Sequence, residues 1–219
     1  MDYTKFDLLC SKLAAAYKKL DFDTEYVRKN KASPDSIAEL ENDLDIKLPC
    51  AVREFFADFS GEYRMNVSFS NEFCGGLPSE LDMVFSAFFD FSIEMLRIAE
   101  TNRRGWVEKC FNNPDDPYDM EWHGKLGFMT VGNGDIIAFD VSADADDPPV
   151  VYLSHDDGDG HGAVLGKSFE DFAFNLVRAG ACGNEDWQLL AFMKDKKSGI
   201  DAECENAVKF RDIIGFDAE

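Results

Sequence analysis

Phe6, Leu9, Leu13 and Tyr17 recur three and four residues apart, which lines one face of a helix over residues 4–20. Lys18 and Lys19 fall in its last turn, where positive charge complements the carbonyl end. Ser33 followed by Pro34 predicts a second helix start, because a serine hydroxyl caps free N–H groups and proline at the first helical position gives up no bond. Ile37, Leu40 and Leu44 form its apolar face. Leu48-Pro49 opens a third helical segment through Val52, Phe55, Phe56 and Phe59, stopped by Ser60-Gly61. From Phe69 to Phe91 the apolar residues follow one another with no steady period. Residues 63–69 are read as a strand, and 90–101 as a helix presenting Phe91, Met95 and Ile98. The Phe residues of this stretch suit core filling, with a lined groove as the competing reading.

The sharpest local pattern is Leu126 to Val141, two apolar runs around Asn133-Gly134. A two-residue primed turn there places Phe128 opposite Phe139 and Thr130 opposite Ile137. Both faces of this hairpin are apolar, so it is expected to lie centrally in its sheet, covered on both sides. Pro149 to Leu153 predicts a further strand. Ser168 and Asp171 form a capping box for a helix burying Phe169, Phe172, Leu176 and Val177. A short helical stretch then contains Trp187, Leu190 and Phe192, and residues 200–214 a last helix. The polar run near 194–199 divides the chain into a single domain over 1–195, with its N-terminal helix, and a C-terminal helical appendage over 196–219.

Composition changes the picture mainly through charge. The 219 residues carry 43 acidic and 22 basic side chains, a formal charge of −21, beside 20 Phe. Such a field repels nucleic acid and suits a basic protein, although acidity also keeps a Phe-rich chain in solution. No stretch reaches the roughly 18 apolar residues of a membrane span, and the first residues lack a secretory leader, so the expected location is the cytoplasm. The six Cys are scattered without a CxxC pair and are read as buried thiols, with disulfides as the competing reading.

Between Lys125 and Lys167 there is no Lys or Arg, yet the interval holds eight Asp. Asp144, Asp146 and Asp147 fall in a loop at 142–148, and Asp156, Asp157 and Asp159 in a loop at 154–162. These six are the partner-binding candidates. They flank a strand only about 17 Å long, so both loops contribute to one negative field, weighed against a pair of ordinary solvated loops. Asp157-Gly158-Asp159-Gly160 sets carboxylates at alternate positions, but the fixed glycine, the distal bidentate Glu and the flanking helices of a calcium hand are missing. His155 and His161 offer a second metal possibility, for zinc or iron, from a chain with three His. The expectation is no metal, no cofactor and no catalytic residue. The sequence has no phosphate loop, HExxH or GxSxG, and its many carboxylates point to no particular pair.

Several stretches together resemble the SUKH superfamily, which includes fungal cell-wall-synthesis regulators and bacterial immunity proteins. They are Ser36 to Glu41 with Leu48-Pro49, Phe55 and Gly61; Trp122; Gly134-Asp135 with Phe139-Asp140; Pro149 to His155; and Ser168-Phe169 to Phe172. The resemblance implies an α+β fold with a central antiparallel or mixed β-sheet flanked by helices, and no common enzymatic activity. It gives Leu48, Pro49, Trp122, Asn133, Gly134, Asp135, Phe139, Asp140, His155 and Phe169 structural roles. Its bacterial members imply an immunity protein that binds a cognate toxin domain, here a basic one such as a nuclease. The alternatives are an intracellular scaffold or regulator and, more remotely, a metal-assisted hydrolase at residues 155–161.

Overall fold

Helix ends are written locally in this chain. In the computed structural model, which describes residues 1–218, helix α1 (Tyr3–Lys19) is capped by Asp2 Oδ1, which accepts the Lys5 N–H at 3.0 Å. Strand β1 (Thr24–Arg28) follows, then α2 (Pro34–Leu44), where Ser33 Oγ accepts the Ser36 N–H at 3.0 Å as the sequence predicts. Helix α3 (Cys50–Glu54) continues as a π-helical turn over Phe55–Phe59, widening the backbone to bury three Phe side chains together. Then come β2 (Glu62–Ser68), α4 (Asn71–Gly75), β3 (Ser86–Ser92), α5 (Ile93–Lys109) and α6 (Pro117–Met120). Strands β4 (Leu126–Thr130), β5 (Ile136–Phe139), β6 (Val150–Leu153) and β7 (Val164–Gly166) precede α7 (Phe169–Arg178), α8 (Asp186–Leu190) and α9 (Glu205–Ile214).

The strands form two antiparallel sheets, β1-β2-β3 and β4-β5-β6-β7, flanked by helices, which is the α+β architecture expected. The edges of the two sheets meet where the Asp90 N–H points at Met129 Sδ, 3.3 Å away. Helix α5 lies against β4 at Gly127, where a Cβ would stand 2.8 Å from the Ala99 carbonyl oxygen. Only glycine permits that approach.

Three local expectations are corrected. Residues 86–92 are strand, and α5 begins after Ser92, whose Oγ accepts the Met95 N–H at 3.1 Å. Phe91 therefore belongs to β3, and α5 buries Leu96, Ala99, Glu100 and Arg103, leaving Ile98 exposed. The hairpin closes through a three-residue loop, with Gly134 N–H bonding to Val131 O at 3.1 Å and Val131 N–H to Asp135 O at 2.9 Å. Gly134 alone takes positive φ, +106°, and Asn133 does not, so Thr130 pairs with Ile136 and a bulge at Phe128 absorbs the offset. Leu126 pairs with Phe139 in the ladder, yet the Phe128 and Phe139 rings still stack, with centroids 4.2 Å apart. Strand β5 is interior, whereas β4 is an edge of its sheet, covered by α5. The third correction concerns the capping box. Ser168 Oγ accepts the Asp171 N–H at 3.1 Å, but the Asp171 carboxylate reaches back to the Lys167 N–H at 2.9 Å.

One large apolar core runs through both sheets, and a smaller cluster of Phe111, Trp122, Ile136, Ala138, Val151 and Leu153 lies on the other face of β5 and β6. Ile200, Ala207, Phe210 and Ile214 join the large core, with Phe210 6.0 Å from the Phe69 ring. Glu219 lies outside the described residues.

Candidate binding surface at the acidic loops

The turn that closes the hairpin also fixes a buried carboxylate. Asp135 is 1% exposed, and four donors saturate its oxygens. Oδ1 receives the His155 N–H at 2.8 Å and contacts His155 Nδ1 at 2.6 Å, while Oδ2 receives the Tyr152 hydroxyl at 2.7 Å and Asn133 Nδ2 at 2.8 Å. Burial, with the Asp135 carboxylate second, pushes the Tyr152 phenol far above its ordinary value, so it serves as a permanent donor. The His155 ring stacks on Trp106, centroids 4.8 Å apart, and Trp106 Nε1 donates to the Gly134 carbonyl at 3.0 Å. Trp122 is fully buried against Phe111. Asn133, Gly134, Asp135, His155 and Trp122 thus form a knot tying the hairpin to the smaller core.

Asp135, His155 and Asp156 can bring ligand atoms within 4.8 Å of one another. Both Asp135 oxygens already hold donors, and the Ser154 hydroxyl donates to Asp156 Oδ1 at 2.9 Å, so the set is built as a hydrogen-bond network. Among the described residues no hydroxyl donates to a histidine ring nitrogen: His155 Nδ1 meets Asp135, and His161 Nδ1 receives the Ser154 N–H at 3.1 Å. Burial pulls the His161 pKa down.

The six candidate Asp are all exposed, on two loops at opposite ends of β6, and no hydrogen bond joins the loops among the described residues. Asp144 Oδ1 accepts the Asp146 and Asp147 N–H groups at 2.8 and 3.1 Å, which holds the Asp144 carboxyl below its usual range. Asp146 docks this loop on the start of α3, taking the Cys50 thiol at 3.3 Å on Oδ1 and the Ala51 N–H at 3.3 Å on its carbonyl. Around this contact lie Asp147, Glu54 and Glu170. The Asp140 carboxylate anchors the loop's other end through Ser142 and Lys125, the latter at 3.2 Å.

The second loop is tied at several points. Asp157 takes positive φ, and its N–H meets the Tyr118 hydroxyl at 3.1 Å. The His161 ring stacks on Tyr118, centroids 3.7 Å apart. Asp186, buried, accepts the Gly160 N–H at 2.8 Å and so joins the loop to α8. Of the remaining motif residues, the Leu48 N–H meets Glu41 Oε1 at 2.9 Å, Pro49 precedes α3, and the Phe169 ring lies edge-on to Phe55 and Phe139.

The sequence reading missed Glu185 and Asp186, which stand beside Asp135 and Asp156 and complete a group of four carboxylates. Among the described residues no Lys or Arg ion pair reaches any of them. Burial first, and then Asp135, Asp186 and Asp156, push the Glu185 carboxyl up to about 7. Its Oε2 is buried without a hydrogen-bond partner. Raised in the folded state, this pKa makes a contribution that is full below the unfolded value, near 4.5, and is lost as pH rises through about 7. Glu185→Gln is accordingly expected to stabilise the protein near pH 8 by on the order of 1 kcal/mol, discounted for solvent reaching this partly exposed group. Near pH 4 it should change nothing. Urea midpoints at both pH values measure this, and equal shifts at the two would contradict it.

No helix among the described residues is long and apolar enough to cross a membrane. No curated protein and no solved structure matches the chain. A family model described as SMI1/KNR4 family (SUKH-1) matches residues 31–175, a span that holds both acidic loops and the hairpin knot and ends before α8.

Proposed function

Since the chain belongs to the SMI1/KNR4 family (SUKH-1), we propose that it is a non-enzymatic immunity protein whose acidic loops bind and neutralise a basic toxin domain inside the cell. The family is generally linked to protein binding and toxin immunity, and its members are typically non-catalytic. The observation that carries the finer reading is the six exposed Asp at 142–148 and 154–162, in an interval without Lys or Arg, on a chain of formal charge −21. A toxin that acts on nucleic acid needs a cationic surface for phosphate. An acidic inhibitor covers that surface and gains fast encounter from the opposed fields. The internal bonds of both loops support the same reading, because preordered carboxylates lose less freedom on binding.

The test is protection. The gene adjacent to the one encoding this chain is expressed in a heterologous host with and without the chain. Growth arrest relieved by the chain, together with a stoichiometric complex of the two purified proteins, is the expected result. Arrest that persists at equal expression, with no complex formed, would overturn the toxin reading.

A further inference from the structure

Beside the acidic loop at 154–162 the surface changes character. Trp187 is 41% exposed, Met83 51% and Phe85 45%, although large apolar side chains of this kind are usually buried. They sit on two segments bonded to each other. Gln188 Nε2 donates to the Met83 carbonyl at 3.2 Å, the Gly183 N–H to the Ser86 carbonyl at 2.8 Å, and Ala87 bridges to Cys182. The same α8 holds the acidic loop, because Asp186, the residue before Trp187, accepts the Gly160 N–H at 2.8 Å and the Trp187 N–H at 2.8 Å. Apolar strip and acidic loop are therefore fixed to one short helix. Glu185 Oε2, in the same turn, is buried and meets no hydrogen-bond donor among the described residues.

We infer that Trp187 and Met83 are the apolar anchor of a docking surface for a basic polypeptide segment, whose Lys or Arg side chains meet Asp156, Asp157 and Asp159. Charge decides the occupant: three exposed carboxylates, with no Lys or Arg ion pair among the described residues, repel nucleic acid and anionic lipid alike. A Trp that loses its water on docking, beside charged groups, gives the composition of an interface centre, in which a few aromatic residues carry most of the affinity and flanking charges set encounter. The inference rests on the reading that the loop at 154–162 meets a basic protein. It adds that affinity comes chiefly from α8, beyond the span the family model matches.

The probe is an Arg-rich synthetic peptide with one central Leu, compared with the same peptide carrying Ser there. Binding to the full chain is titrated by amide and indole NMR shifts. The Leu peptide is expected to bind about tenfold more tightly, the usual scale of one anchoring contact. Trp187→Ala should erase that preference while leaving the Ser peptide's affinity unchanged, with the strongest shifts at Trp187 and residues 83–86. The triple Asn variant of Asp156, Asp157 and Asp159 should weaken both peptides and flatten their salt dependence. If Trp187→Ala keeps the Leu preference while the triple variant loses binding, the anchor is overturned and the acidic-loop reading stands. If neither variant alters binding, or neither peptide binds, both are overturned. Shifts at Trp187 with zwitterionic vesicles and none with either peptide would also overturn the inference, in favour of a membrane contact.

Discussion

Phe139→Ala is expected to remove about 3–5 kcal/mol of stability, the range for deleting a fully buried Phe. The ring is 1% exposed, stacks on Phe128 at 4.2 Å and takes the edge of Phe169 at 5.7 Å. Its neighbours come from β4 and α7, so the cavity would lie where sheet and closing helix join and would not close by the shift of a single loop. Folded domains hold only about 5–15 kcal/mol in total, so the variant should unfold at a far lower urea midpoint. Phe139→Leu, which keeps most of the volume, should lose much less. A Phe139→Ala midpoint within error of the parent would contradict the packing described.

A loss of similar size, about 3–5 kcal/mol, is expected for Glu100→Ala, because it strands a buried positive charge. Glu100 and Arg103 form a two-pronged pair, Nε to Oε2 and Nη2 to Oε1, both at 2.8 Å, with both side chains buried. The same carboxylate accepts Arg104 Nε at 2.6 Å and the Gly127 N–H at 2.9 Å, tying α5 to β4 at the glycine contact. Without it, Arg103 keeps, among the described residues, only the Trp122 carbonyl at 2.7 Å. Burial alone would raise the Glu100 pKa, but the Arg103 bonds outweigh it and the net shift is downward. With a folded pKa below the unfolded one, this contribution is present above the ordinary Glu range and lost as pH falls through the lowered value. Wild type should therefore lose stability on acidification through this range, and Glu100→Ala should lose much less. Denaturation midpoints across acid pH measure the difference. Parallel curves for the two proteins would contradict the buried pair.

These two sites differ in how far the sequence announced them. Phe139 was legible: an apolar run beside Asn-Gly reads as an inner strand whatever the turn type, although the three-residue loop moved the pairing by one and the Phe128 bulge restored the ring contact. Glu100 and Arg103 were not, since charges three apart on a helix usually mark its solvated face. Ser33, Pro34 and Ser168 were legible because capping is local. Strand β1 was missed because Thr24-Glu25-Tyr26-Val27-Arg28 is only half buried and bonds to one neighbour. Strand β3 was misread because both its faces are covered over its second half, which erases the alternation that marks a strand. The acidic loops stood out as a run without Lys or Arg. Nothing local showed that Glu185 and Asp186 stand beside Asp135, or that Trp187, read only as part of a short helical stretch, is exposed.

The most direct test of the acidic-surface claim is the association rate of the chain with the neighbouring gene's purified product, at low and physiological salt. Two Asn triple variants, one at Asp144, Asp146 and Asp147 and one at Asp156, Asp157 and Asp159, are compared with wild type after equal melting is confirmed. The first triple should mainly slow association and flatten its salt dependence, as rim charges do. The second should also accelerate dissociation, with a loss of roughly 2–5 kcal/mol where a partner cation is left buried and unpaired. Wild-type rates and an unchanged salt slope in both variants would contradict the claim and leave the loops at 142–148 and 154–162, on either side of β6, as a solvated face.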